Sequence, residues 1–251
     1  MTTRLAVEGV AKSFAGREVL APTTLALAPG EFVSVVGPSG CGKSTLFNIV
    51  SGLLAPDRGS VAIDGRDVTG RSGTVGYMLQ KDLLLPWRSV IGNITLGAAL
   101  TRGTTREDRE RAEVMARRYG LGDFLDHYPH ALSGGMRQRV ALMRTLASDR
   151  DVLLLDEPFG ALDAQTRVEM QQWLIDVWSE TGRTVLFVTH DVDDAVFLSD
   201  RVLVMSPRPG RIALELEVGL PRPRTLDTMT SPAFNDVKRE ILAQLHGRSA
   251  A

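Results

Sequence analysis

The stretch that decides the fold is residues 31–45, which read EFVSVVGPSGCGKST. Four apolar residues between positions 32 and 36 predict a short buried strand. The residues from Gly37 to Ser44 then fit the pattern G-x-x-x-x-G-K-[ST] in every defined position. In such a loop, backbone N–H groups converge on an anion, and the N-terminus of the following helix adds partial positive charge. The pattern predicts a phosphate loop, the alternative being an ordinary glycine-rich turn.

The positions of this phosphate loop have separate expected tasks. Lys43 reaches the terminal phosphates of a nucleotide, and the Ser44 hydroxyl ligates Mg²⁺. The helix that follows has apolar residues at helical spacing from Leu46 to Leu53 and is expected to pack on a sheet. The expected nucleotide-binding residues of the loop are Gly37, Pro38, Ser39, Gly40, Cys41, Gly42, Lys43, Ser44 and Thr45.

Composition narrows the class of protein. The chain has 251 residues and a formal net charge of −1, which gives no electrostatic reason to expect nucleic acid as a partner. Its single cysteine, Cys41, excludes an internal disulfide. No apolar run approaches the roughly 20 residues needed to span a bilayer, and residues 1–9 do not resemble a signal peptide. We expect a soluble chain whose role at a membrane, if any, comes through partners.

The hydrophobic patterns predict an α/β fold in one domain of residues 1–251. A nucleotide-binding core, with a mixed sheet and flanking helices, follows an N-terminal antiparallel β portion. Residues 89–147 are expected to form an inserted helical subdomain, with Thr104 and Glu107 as a capping box, and residues 225–247 a helical tail. Residues 60–68 predict a hairpin around Asp64-Gly65, and the proline-rich segments 207–210 and 220–224 are expected to be exposed connectors.

Three predicted central strands end in residues that carry chemistry. Residues 33–36 lead into the phosphate loop, 152–155 into Asp156 and Glu157, and 184–189 into His190. Because ligands in open α/β sheets bind at the carboxyl ends of the strands, these stretches are expected to meet. Asp156 is then placed to hold Mg²⁺, and Glu157 to orient or deprotonate an attacking water. Two acids at a solvated strand end are the alternative interpretation.

Residues 132–138, LSGGMRQ, place a capping serine and two glycines at a predicted helix N-terminus, which is a second potential anion site. With this segment the chain resembles the ATP-binding cassette family, whose signature is LSGGxxQ. The resemblance covers about residues 4–215. It implies that Ser133, Gly134, Gly135 and Gln138 contact ATP held by the phosphate loop of a second chain. Since this chain has one of each segment, the resemblance implies a head-to-tail homodimer around two ATP.

The same resemblance assigns roles to other positions. Gln80 is similar to the glutamine that senses Mg²⁺ and the attacking water, and His190 to the histidine that contacts the γ-phosphate. Asp163, in the segment 161–163, is similar to a residue at the dimer interface. Phe14 stands where the family places an aromatic ring against adenine, the alternative being a plain packing aromatic. The implied catalytic residues are Lys43, Gln80, Glu157 and His190, and the implied metal ligands are Ser44, Gln80 and Asp156.

The chain most resembles transporter ATPases rather than cassette ATPases that act on nucleic acid or ribosomes. The latter carry a long coiled coil or two cassettes, whereas only about fifty residues separate Gln80 from Leu132 here. Residues 81–87 (KDLLLPW), 205–211 and 220–224 are similar to importer ATPases for nitrate, sulfonate and taurine. That resemblance implies a membrane permease, a separate substrate-binding protein and a location at the cytoplasmic face of the membrane. An importer for another solute and an ATPase not coupled to transport are the alternatives.

Overall fold

The computed structural model describes residues 3–160 and 162–247. Its smaller sheet is antiparallel and has the strand order β2-β1-β4-β5. The predicted turn at Asp64-Gly65 joins β4 to β5, and both residues have positive φ, at 49° and 72°. This geometry is typical of a tight hairpin. The strands of this sheet are β1 (Leu5–Phe14), β2 (Arg17–Leu27), β4 (Arg58–Ile63) and β5 (Arg66–Asp67).

The larger sheet has the order β10-β9-β3-β8-β7-β6 and is parallel except for β10 at its edge. Its central strands are buried on both faces, as their continuous apolar sequences predict. Because β3, β8 and β7 are neighbours, the three chemically important strand ends lie together, as expected. The strands are β3 (Phe32–Val36), β6 (Gly76–Met78), β7 (Val152–Asp156), β8 (Thr184–Val188), β9 (Arg201–Met205) and β10 (Ile212–Glu217).

Helices cover the larger sheet, and the segment predicted to be a helical insertion contains α2 to α5. One apolar core lies between the sheet and these helices, and a second lies between the two sheets and α1. No helix among the described residues is long and apolar enough to cross a membrane. The helices are α1 (Lys43–Val50), α2 (Val90–Ile94), α3 (Leu96–Thr101), α4 (Arg106–Arg118), α5 (Gly134–Leu146), α6 (Ala164–Thr181), α7 (Val192–Leu198), α8 (Leu226–Met229) and α9 (Pro232–His246).

Two local predictions about helix ends are wrong. Helix α1 stops at Val50, and Leu53 is exposed rather than packed on the sheet. The reason is Gly52, which has a φ of 75° and lies so close to the 71–72 backbone that a Cβ there would be 2.2 Å from Arg71 O. The capping box of α4 lies one residue later than predicted, at Thr105 and Asp108. Asp108 is buried and also pairs with Arg102 and Arg111, which fixes that register.

The predicted connectors are also less exposed than expected. Arg224 is only 2% exposed and donates hydrogen bonds to the carbonyl oxygens of Val196, Phe197 and Ser199. Since the last carbonyl groups of a helix lack intrahelical partners, this guanidinium caps the C-terminus of α7. In the other connector, residues 207–209 are exposed but Gly210 is buried.

Candidate functional site

A cleft of about 310 Å³ lies at the carboxyl ends of β3, β7 and β8. It brings together most of the predicted residues of the phosphate loop and the ends of the neighbouring strands. Gly37, Pro38 and Cys41 belong to the loop but do not line the cleft. The lining residues are Val19, Ser39, Gly40, Gly42, Lys43, Ser44, Thr45, Gln80, Asp156, Glu157, Val188 and Arg208. We call this space the nucleotide cleft.

The phosphate loop is shaped by its glycines and closed by its lysine. Gly42 caps α1 with a φ of 111°, a conformation that L side chains rarely adopt. Lys43 Nζ donates hydrogen bonds to Gly37 O at 2.7 Å and Pro38 O at 3.2 Å, so the ammonium group lies across the loop. Cys41 is buried at 1% exposure, which means that its backbone shapes the loop while its thiol faces the protein interior.

Asp156 and Glu157 place two carboxylates in the nucleotide cleft. Asp156 is buried, and burial, together with repulsion from Glu157, raises its pKa to about 6. A hydrogen bond from Ser44 and the charge of Lys43 offset only part of that shift. Two acids with so little compensating charge fit a divalent cation, which favours oxygen ligands. Ser44, Gln80 and Asp156 are the side chains that would hold Mg²⁺, and Mg²⁺ usually completes its shell with phosphate oxygens and water.

The carboxylate of Glu157 lies between two other predicted catalytic residues. Gln80 Nε2 donates to Glu157 Oε2 at 3.1 Å. His190 Nδ1 lies 3.4 Å from Glu157 Oε1, and the imidazole is largely exposed. Glu157 itself has a φ of 49°, which is unusual for a non-glycine residue and often marks functional sites. The structure therefore holds Glu157 from both sides at the mouth of the cleft.

The signature segment, residues 132–138, lies outside the nucleotide cleft. Ser133 caps α5 by accepting a hydrogen bond from Met136 N at 3.2 Å, as predicted, and Ser133 and Gly134 are exposed. Gln138 is buried, in contrast to the role in ATP contact that the resemblance implies. A Cβ on Gly135 would be 3.3 Å from Leu162 Cδ2, so the signature segment packs closely against the start of α6.

Two other predicted site residues also lie away from the nucleotide cleft. Asp163 caps α6 by accepting a hydrogen bond from Thr166 N at 3.0 Å, whereas Ala161 of the same segment lies outside the described residues. Phe14 is 47% exposed at the end of β1, where Lys12 Nζ lies 5.7 Å from its ring centroid. Asp163 would therefore take part in the site only when a second chain is present. Phe14 would do so only when a base is bound against its ring.

Sequence reasoning missed several residues that support the site. Arg208 lines the cleft but follows β9 in a turn, where no sequence pattern links it to the phosphate loop. Arg137 Nε donates to Asp82 Oδ2 at 3.1 Å, and Arg144 donates to the carbonyl oxygens of Asp82 and Leu83. These bonds tie the loop that follows Gln80 to the helix that carries the signature segment. Position 137 is variable in the signature pattern, so the pattern gave no hint of this role.

Comparison with known proteins places this geometry in a family. Residues 20–160 match the family model described as ABC transporter. The taurine import ATP-binding protein of Rhizobium johnstonii is 45% identical over 230 residues, covering 88% of this chain and 87% of its own. That of Yersinia pestis (Antiqua) is 44% identical, over 85% and 84%. An uncharacterized ABC transporter ATP-binding protein of Methanocaldococcus jannaschii is 45% identical, over 96% and 91%.

Solved structures agree with this placement. A dimeric ATP-binding cassette in a post-hydrolysis state with ADP and Pi has a TM-score of 0.76 and 32% identity, covering 85% of this chain and 98% of its own. A protein of Clostridium perfringens, described as part of an ABC transporter complex, has a TM-score of 0.77 and 25% identity, covering 99% of this chain and 96% of its own. The chain with this cleft, sheet order and helical segment belongs to the ABC transporter family, as an ATP-binding subunit that hydrolyses ATP.

Proposed function

We propose that this chain is the ATPase of an importer, and that it works as a homodimer around two ATP. It sits at the cytoplasmic face of the membrane, bound to a permease that receives solute from a separate binding protein. The solute is a small one of the taurine, sulfonate or nitrate kind. The similarity to taurine import ATP-binding proteins supports this substrate group, and it extends over most of both chains.

The position of Glu157 supports the catalytic role proposed for this chain. When bound, ATP and Mg²⁺ supply the phosphoryl group and neutralise its charge. The carboxylate of Glu157 is oriented by Gln80 on one oxygen and approached by His190 on the other, so it can accept a proton from a water at the cleft mouth. Lys43 and the N–H groups at the start of α1 bind the phosphates. Ser44, Gln80 and Asp156 are the side chains that would hold the metal.

The signature segment supports the dimer. Its serine and glycines form an exposed helix N-terminus that lies outside the nucleotide cleft of its own chain. A second chain in head-to-tail orientation brings this N-terminus to the partner's nucleotide. Such a pair is closed and symmetric, and each chain contributes half of both sites.

The loop 81–87 supports a membrane partner. Trp87 is 71% exposed and Leu83 is 53% exposed, although Leu84 is buried and anchors the loop. Asn93 is buried and holds the loop from inside, because its side chain accepts from Leu85 N and donates to Leu85 O. An exposed apolar pair on a fixed support is typical of an interaction site. Since Gln80 precedes this loop and contacts Glu157, the loop can transmit the state of the nucleotide to a permease.

The test replaces Leu83 and Trp87 with serine in the full chain. Leu100→Ser is the matched control, because Leu100 is also exposed, at 76%, but lies on α3. We expect the double variant to keep its fold and basal ATP hydrolysis but to lose co-purification with the permease and solute uptake in cells. The control keeps all of these properties. Normal uptake by the double variant would exclude this loop as the coupling surface.

The substrate group has its own test. A strain lacking this gene is assayed for uptake of labelled taurine, an alkanesulfonate and nitrate, with and without the gene restored on a plasmid. We expect uptake of one of these solutes to depend on the gene. If none depends on it while a permease co-purifies, the chain serves an importer for another solute. If no permease co-purifies either, the ATPase is not coupled to transport.

A further inference from the structure

The turn 206–211, between β9 and β10, packs directly against the phosphate loop. Gly210 donates its N–H to Val19 O and accepts from Ala21 N, both at 2.9 Å, so the turn is bonded to β2. A Cβ on Gly210 would lie 1.8 Å from Cys41 O, which leaves room only for glycine. Ser206 closes the turn, since its N–H donates to Arg211 O at 2.9 Å. The turn is therefore a fixed wall beside the phosphate loop.

Arg208 extends from this wall over the phosphate loop. Its Nε and one terminal nitrogen donate to Gly40 O at 3.2 and 3.0 Å. A guanidinium carries five N–H donors, so three stay available. Within residues 3–160 and 162–247, the hydrogen bonds of this side chain go only to Gly40 O, and no carboxylate pairs with it. Arg208 is exposed and lines the nucleotide cleft, where the other basic side chain is Lys43.

This arrangement places a positioned cation where a polyphosphate binds. The two hydrogen bonds from Arg208 to Gly40 O fix the guanidinium before any ligand binds. They also shield that carbonyl oxygen from a phosphate. Arginine matches phosphate oxygens with paired N–H donors, and such charge-assisted bonds are stronger than neutral ones. We propose that Arg208 is a nucleotide-binding residue that contacts the phosphates of the bound nucleotide from the turn 206–211. The inference requires only that the cleft binds nucleotide and does not depend on the transport substrate.

The experiment measures ADP binding by calorimetry, because ADP is not hydrolysed during the titration. The variants are Arg208→Gln, Arg208→Lys and the matched control Arg211→Gln, which removes the same charge from the same turn but lies outside the cleft. We expect Arg208→Gln to raise the ADP Kd by about ten-fold and Arg208→Lys by about three-fold, while Arg211→Gln stays within about two-fold. The ADP Kd of Arg208→Gln should also depend less on salt, because one screened charge interaction is gone.

Three results would overturn the proposal. The first is equal ADP affinity in Arg208→Gln and Arg211→Gln. The second is an ADP affinity that is weaker in Arg208→Gln but has the salt dependence of wild type, with an equal loss in Arg208→Lys. Arg208 would then only support the backbone at Gly40 and would not contact the phosphates. The third is a melting temperature of ligand-free Arg208→Gln that falls well below that of Arg211→Gln, with ADP affinity restored by low temperature. Lys43→Ala, measured in the same way, gives the loss of ADP affinity that is expected when the phosphate loop itself is impaired.

Discussion

The nucleotide cleft and the signature segment are both helix N-termini with glycines, yet they differ in what surrounds them. At the cleft, the N-terminus of α1 faces Asp156, Glu157 and Gln80 from neighbouring strands. At the signature segment, the N-terminus of α5 is exposed, and residues 132–138 do not line the nucleotide cleft. The N-terminus of α1 therefore shares a cleft with a lysine and two carboxylates, whereas the N-terminus of α5 lies outside that cleft.

This difference shows how the proposed activity is divided. Under the proposed function, the cleft contains the groups that bind phosphate and activate water, so ATP binds to one chain. The signature segment contributes only backbone donors and a serine hydroxyl, which are useful once another chain's nucleotide approaches. In the proposed homodimer, hydrolysis therefore depends on dimerisation.

The largest expected effect is the loss of hydrolysis in Glu157→Gln. Glutamine keeps the shape of the side chain and its contact with Gln80 but cannot accept a proton from water. General-base catalysis contributes about 10² to 10⁴-fold, so the ATPase rate should fall by at least about 100-fold. The Kd for ATP should change little. A rate within ten-fold of wild type, measured by phosphate release, would mean that another group activates the water.

A smaller effect concerns the buried network behind His190. Asp194 is buried, accepts hydrogen bonds from Gln171 and Thr189, and has its pKa raised to about 6 by burial and by repulsion from Asp191, with Arg167 opposing the shift. Since the native state then binds more protons than the unfolded state, stability should fall as pH rises from about 4 to about 6. The loss at neutral pH is about 3 kcal/mol, from a shift of the Asp194 pKa from 3.8 to about 6.

Asp194→Asn removes that charge and should raise the free energy of urea unfolding at pH 7.5 by up to about 3 kcal/mol relative to wild type, and by roughly half as much at pH 5. An amide at this position can also donate to Gln171 Oε1, which has no hydrogen-bond partner among the described residues. Asp193→Asn is the control, because Asp193 is on the same helix but pairs with Lys238. An equal destabilisation of Asp194→Asn at both pH values would show that the carboxylate is needed for packing.

The smallest effect compares two serine caps of the same geometry. Ser133 accepts from Met136 N and Ser231 accepts from Phe234 N, both at 3.2 Å. Ser133→Ala and Ser231→Ala should each lower the free energy of unfolding by about 1 kcal/mol. Only Ser133→Ala should lower the ATPase rate, because only that cap faces a partner's nucleotide. Equal ATPase rates in the two variants would mean that the Ser133 hydroxyl has no role beyond its helix.

The sequence predicted the cleft well because its residues occupy fixed positions after buried strands. Lys43, Asp156, Glu157 and Gln80 all follow patterns that determine where the chain turns. It could not predict Arg208, whose role depends on how a turn packs through Gly210. The contact of Gly210 with Cys41 is set by tertiary packing, which local patterns do not contain. The capping box shifted to Thr105 because Asp108, unlike the exposed Glu107, is buried and pairs with the nearby Arg102 and Arg111.

In the proposed homodimer, a second chain completes the site at the signature segment. Sedimentation of Glu157→Gln with saturating Mg-ATP is the decisive experiment, because bound ATP then persists. We predict a dimer holding two nucleotides, and a monomer with one bound ATP when Ser133→Arg is added to the same chain. Arginine at this exposed cap blocks the partner surface while leaving the cleft unchanged. A monomer of Glu157→Gln at ATP saturation, or a dimer unaffected by Ser133→Arg, would contradict the account.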